Sequence, residues 1–164
     1  MDYSFRILCV HGNSDPKSAI YCELIERPLG AEEPTYEALS YCWGGQSLTQ
    51  EIFCEGRRLM VTKNCESALR YFRPAVNGHV RRLWIDAICI NQGDISEKSN
   101  QLQLMGEIYS GASRVLVWLE DDSSRILLHS LSNPGPSWII DIGRTALAID
   151  GTIVLLPWFK RLWI

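Results

Sequence analysis

The chain has 164 residues, 46% of them hydrophobic and 21% charged, with a formal net charge of −3. That length supports one domain with a substantial core, because folding at this size buries roughly two-thirds of the unfolded surface. The mildly acidic balance, with basic residues in pairs such as Arg57–Arg58 and Arg81–Arg82 rather than in a patch, argues against nucleic acid or an anionic membrane as partner.

Phe5–Val10 and Ala19–Ile25 read as strands joined by a polar loop through Gly12, Asn13, Asp15 and Pro16, an antiparallel hairpin placed as an N-terminal extension. Pro28, Gly30 and Pro34 break the chain before Tyr36–Cys42, a further strand that closes on Trp43, Gly44 and Gly45, where glycine permits a sharp turn. Glu51–Cys54 and Leu59–Val61 flank Glu55-Gly56 as a second hairpin. Thr62 or Asn64 can cap a helix whose apolar members are Cys65, Ala68, Leu69 and Phe72 and which stops before Pro74.

The stretch Leu83–Leu119 carries the clearest pattern. Leu83 to Ile90 is an apolar run broken only by Asp86, the pattern of a strand buried on both faces. A carboxylate there must be held by donors or face a crevice at the strand's carboxyl end, since an unpaired buried charge is costly. Asn91, Gln92, Gly93 and Asp94 form a turn, and Asp94 with Glu97 has the spacing of a capping box. Leu102, Met105, Ile108, Tyr109 and Ala112 then share a helical face, Gly111 marks a stop, and Val115–Leu119 is another apolar strand. Strand, helix, strand makes a βαβ unit with a parallel pair. Beyond it, a short helix after Asp121–Ser124, a helix over Ile139–Ile149 and another from Pro157 are expected.

Six cysteines without CxxC or regular spacing, several in strand-like runs, read as buried reduced thiols. The N-terminal apolar run lacks the length and flanks of a signal peptide. Trp138–Phe159 is interrupted by Asp141, Arg144 and Asp150, which makes a membrane span costly. The expected location is therefore the cytoplasm.

In an open parallel sheet, ligands sit beyond the carboxyl ends of the strands where strand order reverses. Three loops would wall that crevice here: Ser40–Gly45, Asp86–Asp94 and Glu120–Ser123. The candidate binding residues are Ser40, Tyr41, Trp43, Gly44, Asp86, Asn91 and Gln92, with Asp94 and Glu120 nearby. Hydroxyl, amide and carboxylate groups around an aromatic face suit a nucleotide better than a metal. Each has a structural alternative: Trp43 as a core anchor, Asn91 and Gln92 as turn residues, Asp94 and Glu97 as helix caps. Ser40 has no nucleophile elbow, and His11, His79 and His129 lack ligand spacing, so neither hydrolase chemistry nor a metal site is expected.

YEALSYCWGG at 36–45, LMVTKNCESALRYFR at 59–73, WIDAICINQ at 84–92 followed by E-K-x-x-Q and M-x-x-I-Y, and LPWFKRLWI at 156–164 together resemble the heterokaryon-incompatibility (HET) domain of filamentous fungi. The resemblance implies one HET-like domain over residues 1–164, cut short at its C-terminal end. It further implies a role in fungal non-self recognition and programmed cell death through homotypic or other signalling-protein association. LSYCWGG at 39–45, WIDAICINQ and VLVWL at 115–119 are, more remotely, similar to the strands and loops of the Toll/interleukin-1 receptor (TIR) domain of innate immunity. That likeness implies an α/β, flavodoxin-like, mostly parallel sheet with flanking helices. It also implies an alternative function, NAD glycohydrolase, with NAD as substrate and the catalytic glutamate in a W-x-x-Q-E ending that continues past Ile164. Among residues present, Glu120 is the acid that could substitute, and the catalytic residue stays unassigned.

Overall fold

β1 (Ser4–His11) lies at the middle of a seven-stranded sheet, with Leu8, Cys9 and Val10 buried in succession. A computed structural model of the chain describes residues 3–41, 43, 45 and 47–118. Within them β2 (Tyr21–Pro28) pairs antiparallel with β1, as the first hairpin predicts. The hairpin is not an extension, however. β1 also pairs antiparallel with β6 (Val80–Trp84), because a strand with consecutive apolar residues must cover both faces and both edges.

The remaining strands are β3 (Glu37–Tyr41), β4 (Leu48–Cys54), β5 (Arg57–Thr62) and β7 (Arg114–Trp118), and the sheet order is β5-β4-β2-β1-β6-β3-β7. Three neighbouring pairs are parallel and three antiparallel, so the sheet is mixed rather than mostly parallel. The β4–β5 hairpin forms as expected. Glu55 and Gly56 both take positive φ, 53° and 71°, the twist a two-residue hairpin turn requires.

Helix α1 (Lys63–Phe72) begins at Thr62, whose hydroxyl accepts from Cys65 N at 3.2 Å, and ends before Pro74. Because that hydroxyl is buried against the first turn, Thr62→Ala is expected to lower stability by about 1 kcal/mol in urea denaturation. An unchanged midpoint would contradict the capping role.

After Trp84 the predicted strand stops. Ile88 N and Cys89 N both donate to Ile85 O, at 3.0 and 2.8 Å, winding Asp86–Cys89 into a single turn, α2. Helix α3 (Ile95–Ser110) follows, capped by Asp94, which accepts from Glu97 N at 3.0 Å. Only that half of the capping box forms. Glu97 Oε1 accepts instead from Asn91 N at 2.8 Å and pairs with Arg6, tying the turn to β1. Gly111 ends the helix as expected, but the buried face holds Leu104, Met105 and Ile108, while Leu102 is half exposed.

The βαβ reading holds with one change. β6 and β7 run parallel, yet β3 lies between them and pairs with both. Alternation along β6 sends Arg81 toward α1, where it donates to Phe72 O at 3.2 Å, and Trp84 toward α3, where its ring meets Tyr109 at 5.3 Å. Helices thus cover both faces of the sheet, an α/β arrangement. Glu37, at the start of β3, binds Arg81 of β6 at 2.5 Å and Arg114 of β7 at 3.4 Å, joining the three parallel strands at their amino ends. The expectations for Glu120–Ser123 and for helices after residue 121 lie outside the described residues.

Candidate ligand crevice

β3, flanked in parallel by β6 on one side and β7 on the other, brings the carboxyl ends of three strands to one rim. The chain passes from β6 through α3 to β7 across β3, so the rim is a point where strand order reverses. Tyr41 ends β3, buried and in register with Trp118 at the end of β7, and Ser40 sits half-buried one residue before it.

Trp43, half-buried, donates Nε1–H to Asp86 Oδ1 at 3.1 Å, and the same oxygen accepts from Ala87 N at 2.8 Å. Of the two alternatives its sequence context left open, the carboxylate meets the first, being held by donors, and it lies just past the end of β6. The loop after β3 and the turn after β6 meet through this bond. Gln92 reinforces the turn, donating Nε2–H to Asp86 O at 2.8 Å. Asn91 does not join the group through its side chain. Its Oδ1 accepts from Gly93 N at 3.1 Å, the turn role that its residue type favours. Asp94 is occupied as a helix cap. Gly44 and Glu120 lie outside the described residues.

The first turn of α1 also reaches this rim. Asn64, 3% exposed, accepts from Trp118 Nε1–H at 2.7 Å. Burial pushes the neighbouring Cys65 thiol up to about 12, its hydrogen bond to Tyr41 opposes that rise, and the charge of Asp86 adds to it. Cys65, Tyr41 and Asp86 are thus close enough to sense one another. Asn64 and Trp118 had no ligand role in the sequence reading. The signal was available, since positions 64, 65, 68, 69 and 72 form one helical stripe and Asn64 belongs to its buried face.

Two indoles are consequently fixed by their N–H groups, one on a carboxylate and one on a carboxamide, with Tyr41 in register with the second. Such a rim offers flat apolar faces beside polar acceptors. Among the described residues no His, Cys, Asp and Glu cluster could hold a metal ion, and no helix is long and apolar enough to cross a membrane.

The sequence carrying this rim matches the family model of the heterokaryon incompatibility protein (HET) over residues 36–164. The chain belongs to the HET family. It is 39% identical over 155 residues to heterokaryon incompatibility protein 6, OR allele, of Neurospora crassa. That match covers 84% of this chain and 22% of the relative, so the chain spans about a fifth of the curated protein it matches. No solved structure matches the chain.

Proposed function

We propose that this chain is a heterokaryon-incompatibility module of fungal non-self recognition, acting in the cytoplasm and coupling recognition to programmed cell death by association with its own copies or with other signalling proteins. Membership of the HET family over residues 36–164 carries this reading. The relative from Neurospora crassa, named for heterokaryon incompatibility, supports it. Light scattering and crosslinking of the purified chain at rising concentration test the association step. Concentration-dependent oligomers are expected, and a strictly monomeric protein that captures no signalling partner contradicts it.

A second reading rests on the Trp43–Asp86 pair at the rim of three parallel strands. In it the β6-β3-β7 block is the flavodoxin-like, TIR-like part of the domain, and the crevice takes a dinucleotide such as NAD. Ser40, Tyr41 and Asp86 would meet ribose hydroxyls, Trp43 would face the planar ring, and Asn91 and Gln92 would border the site. A TIR-type glycohydrolase would then need an acid to stabilise charge developing at the ribosyl carbon. Titrating NAD into the chain while following tryptophan fluorescence tests this reading. Saturable quenching that Asp86→Ala abolishes is expected, and identical traces for the two proteins contradict it.

A further inference from the structure

Away from the crevice, Cys22 on β2 and Cys54 at the end of β4 are direct register partners in a parallel pair. Registered residues point to the same face, and adjacent strands lie about 4.8 Å apart. That spacing falls within the roughly 4.4–6.8 Å Cα separation a disulfide spans. Both are free thiols in this structure. Cys22 Sγ donates to Phe53 O at 3.3 Å.

We propose that Cys22 and Cys54 form a peroxide-sensitive dithiol that closes to a disulfide and locks the β4–β5 hairpin onto the sheet. The hairpin is otherwise held to β2 over only two registered pairs, Tyr21↔Phe53 and Cys22↔Cys54, and it leads directly into α1, which supplies Asn64 to the crevice. The reacting sulfur is Cys54. The neighbouring Cys22 sulfur lowers the Cys54 thiol below the ordinary cysteine value, whereas the reciprocal interaction, with burial, raises Cys22. Cys54 is also the last residue of its strand, next to the exposed Glu55-Gly56 turn, so a small oxidant has a short path.

The Cys54 thiolate attacks one oxygen of hydrogen peroxide, breaking the O–O bond and releasing hydroxide, which leaves a sulfenic acid. The Cys22 sulfur then attacks the Cys54 sulfur, the S–O bond breaks, and the departing hydroxide takes the Cys22 proton. Two thiols and one peroxide become one disulfide and two waters. Sulfur is oxidised and the peroxide reduced.

The test treats the folded 164-residue chain with stoichiometric hydrogen peroxide, denatures it, alkylates residual thiols and maps its peptides. A Cys22–Cys54 linked peptide, with the other four cysteines alkylated, is expected. The melting temperature should rise and return with dithiothreitol. Cys22→Ser should stop at a Cys54 sulfenic acid that dimedone traps, and Cys54→Ser should abolish both products. Recovery of Cys22 and Cys54 as separate alkylated thiols once the peroxide is consumed overturns the proposal, as does their pairing with other cysteines. Mapping of the unmutated chain decides the matter even where a variant fails to fold.

Discussion

Trp84→Ala is expected to lower the free energy of unfolding by about 3–5 kcal/mol, the range for truncating a large buried aromatic side chain. Trp84 is 0% exposed and ends β6 opposite Ala38, with Tyr109 of α3 edge-on at 5.3 Å and 75°. Opposite so small a neighbour, little can collapse into the space the indole leaves, so both the transfer loss and the cavity term apply. Asp86 follows two residues later, and the cavity would also loosen the strand end that positions it. One feature moderates the loss: the indole N–H has no hydrogen-bond partner among the described residues. An unsatisfied buried donor costs about 1–3 kcal/mol. Trp84→Phe removes that donor while keeping an aromatic ring, so it should cost well under half of what alanine does. Urea denaturation of the three proteins checks both statements, and an alanine variant within about 1 kcal/mol of the parent would contradict the packing role.

Gly12→Ala is the second large effect. A Cβ on Gly12 would stand 2.2 Å from Val76 O, 2.9 Å from Pro74 Cβ and 3.0 Å from His79 O. Two of those atoms are backbone, so no side chain can swing away. The contact is made close by hydrogen bonds, Gly12 N to His79 O at 2.7 Å and Asn13 N to Pro74 O at 2.9 Å, which bind the end of β1 to the segment between α1 and β6. Adding one methyl should therefore cost about 3 kcal/mol, the upper end of the overpacking range. Gly106 provides the comparison. It lies exposed within α3 with nothing within 4 Å of the added atom, so Gly106→Ala should stabilise by about 0.5–1 kcal/mol. Thermal melts that rank both alanine variants equally would show that the close approach at Gly12 is unimportant.

Local structure was legible in the residues because its causes are local. The Glu55-Gly56 turn, the Thr62 and Asp94 caps and the Gly111 stop each involve side chains within a few positions of the backbone they serve. Strand order was not legible. The continuous run Ile7–Val10 has the same two-sided burial signature as Leu83–Ile85, yet nothing local says that these strands are each other's neighbours. Leu102 and Leu104 illustrate the same limit on a helix. Leu102 lies three residues before Met105 and Leu104 four before Ile108, so helical spacing admits either, and only the docked sheet selects Leu104. At the rim, Asp86 was legible because a carboxylate in an apolar run demands a reason. Gln92 bears on the site by bracing the Asp86 backbone, and Asn91 is taken up by its own turn. Asn64 was passed over because its amide suggested a cap, a task Thr62 performs instead.

The proposed role can be put to a direct trial in living hyphae. The chain would be expressed from an inducible promoter in a filamentous fungus while growth arrest and uptake of a membrane-impermeant dye are scored. The Asp86→Ala variant, matched for abundance, would be scored in parallel. We expect the parent chain to arrest growth and admit dye, with the variant impaired because its Trp43 anchor is gone. Unimpaired growth of hyphae that accumulate the folded parent chain would contradict a cell-death function for this HET module.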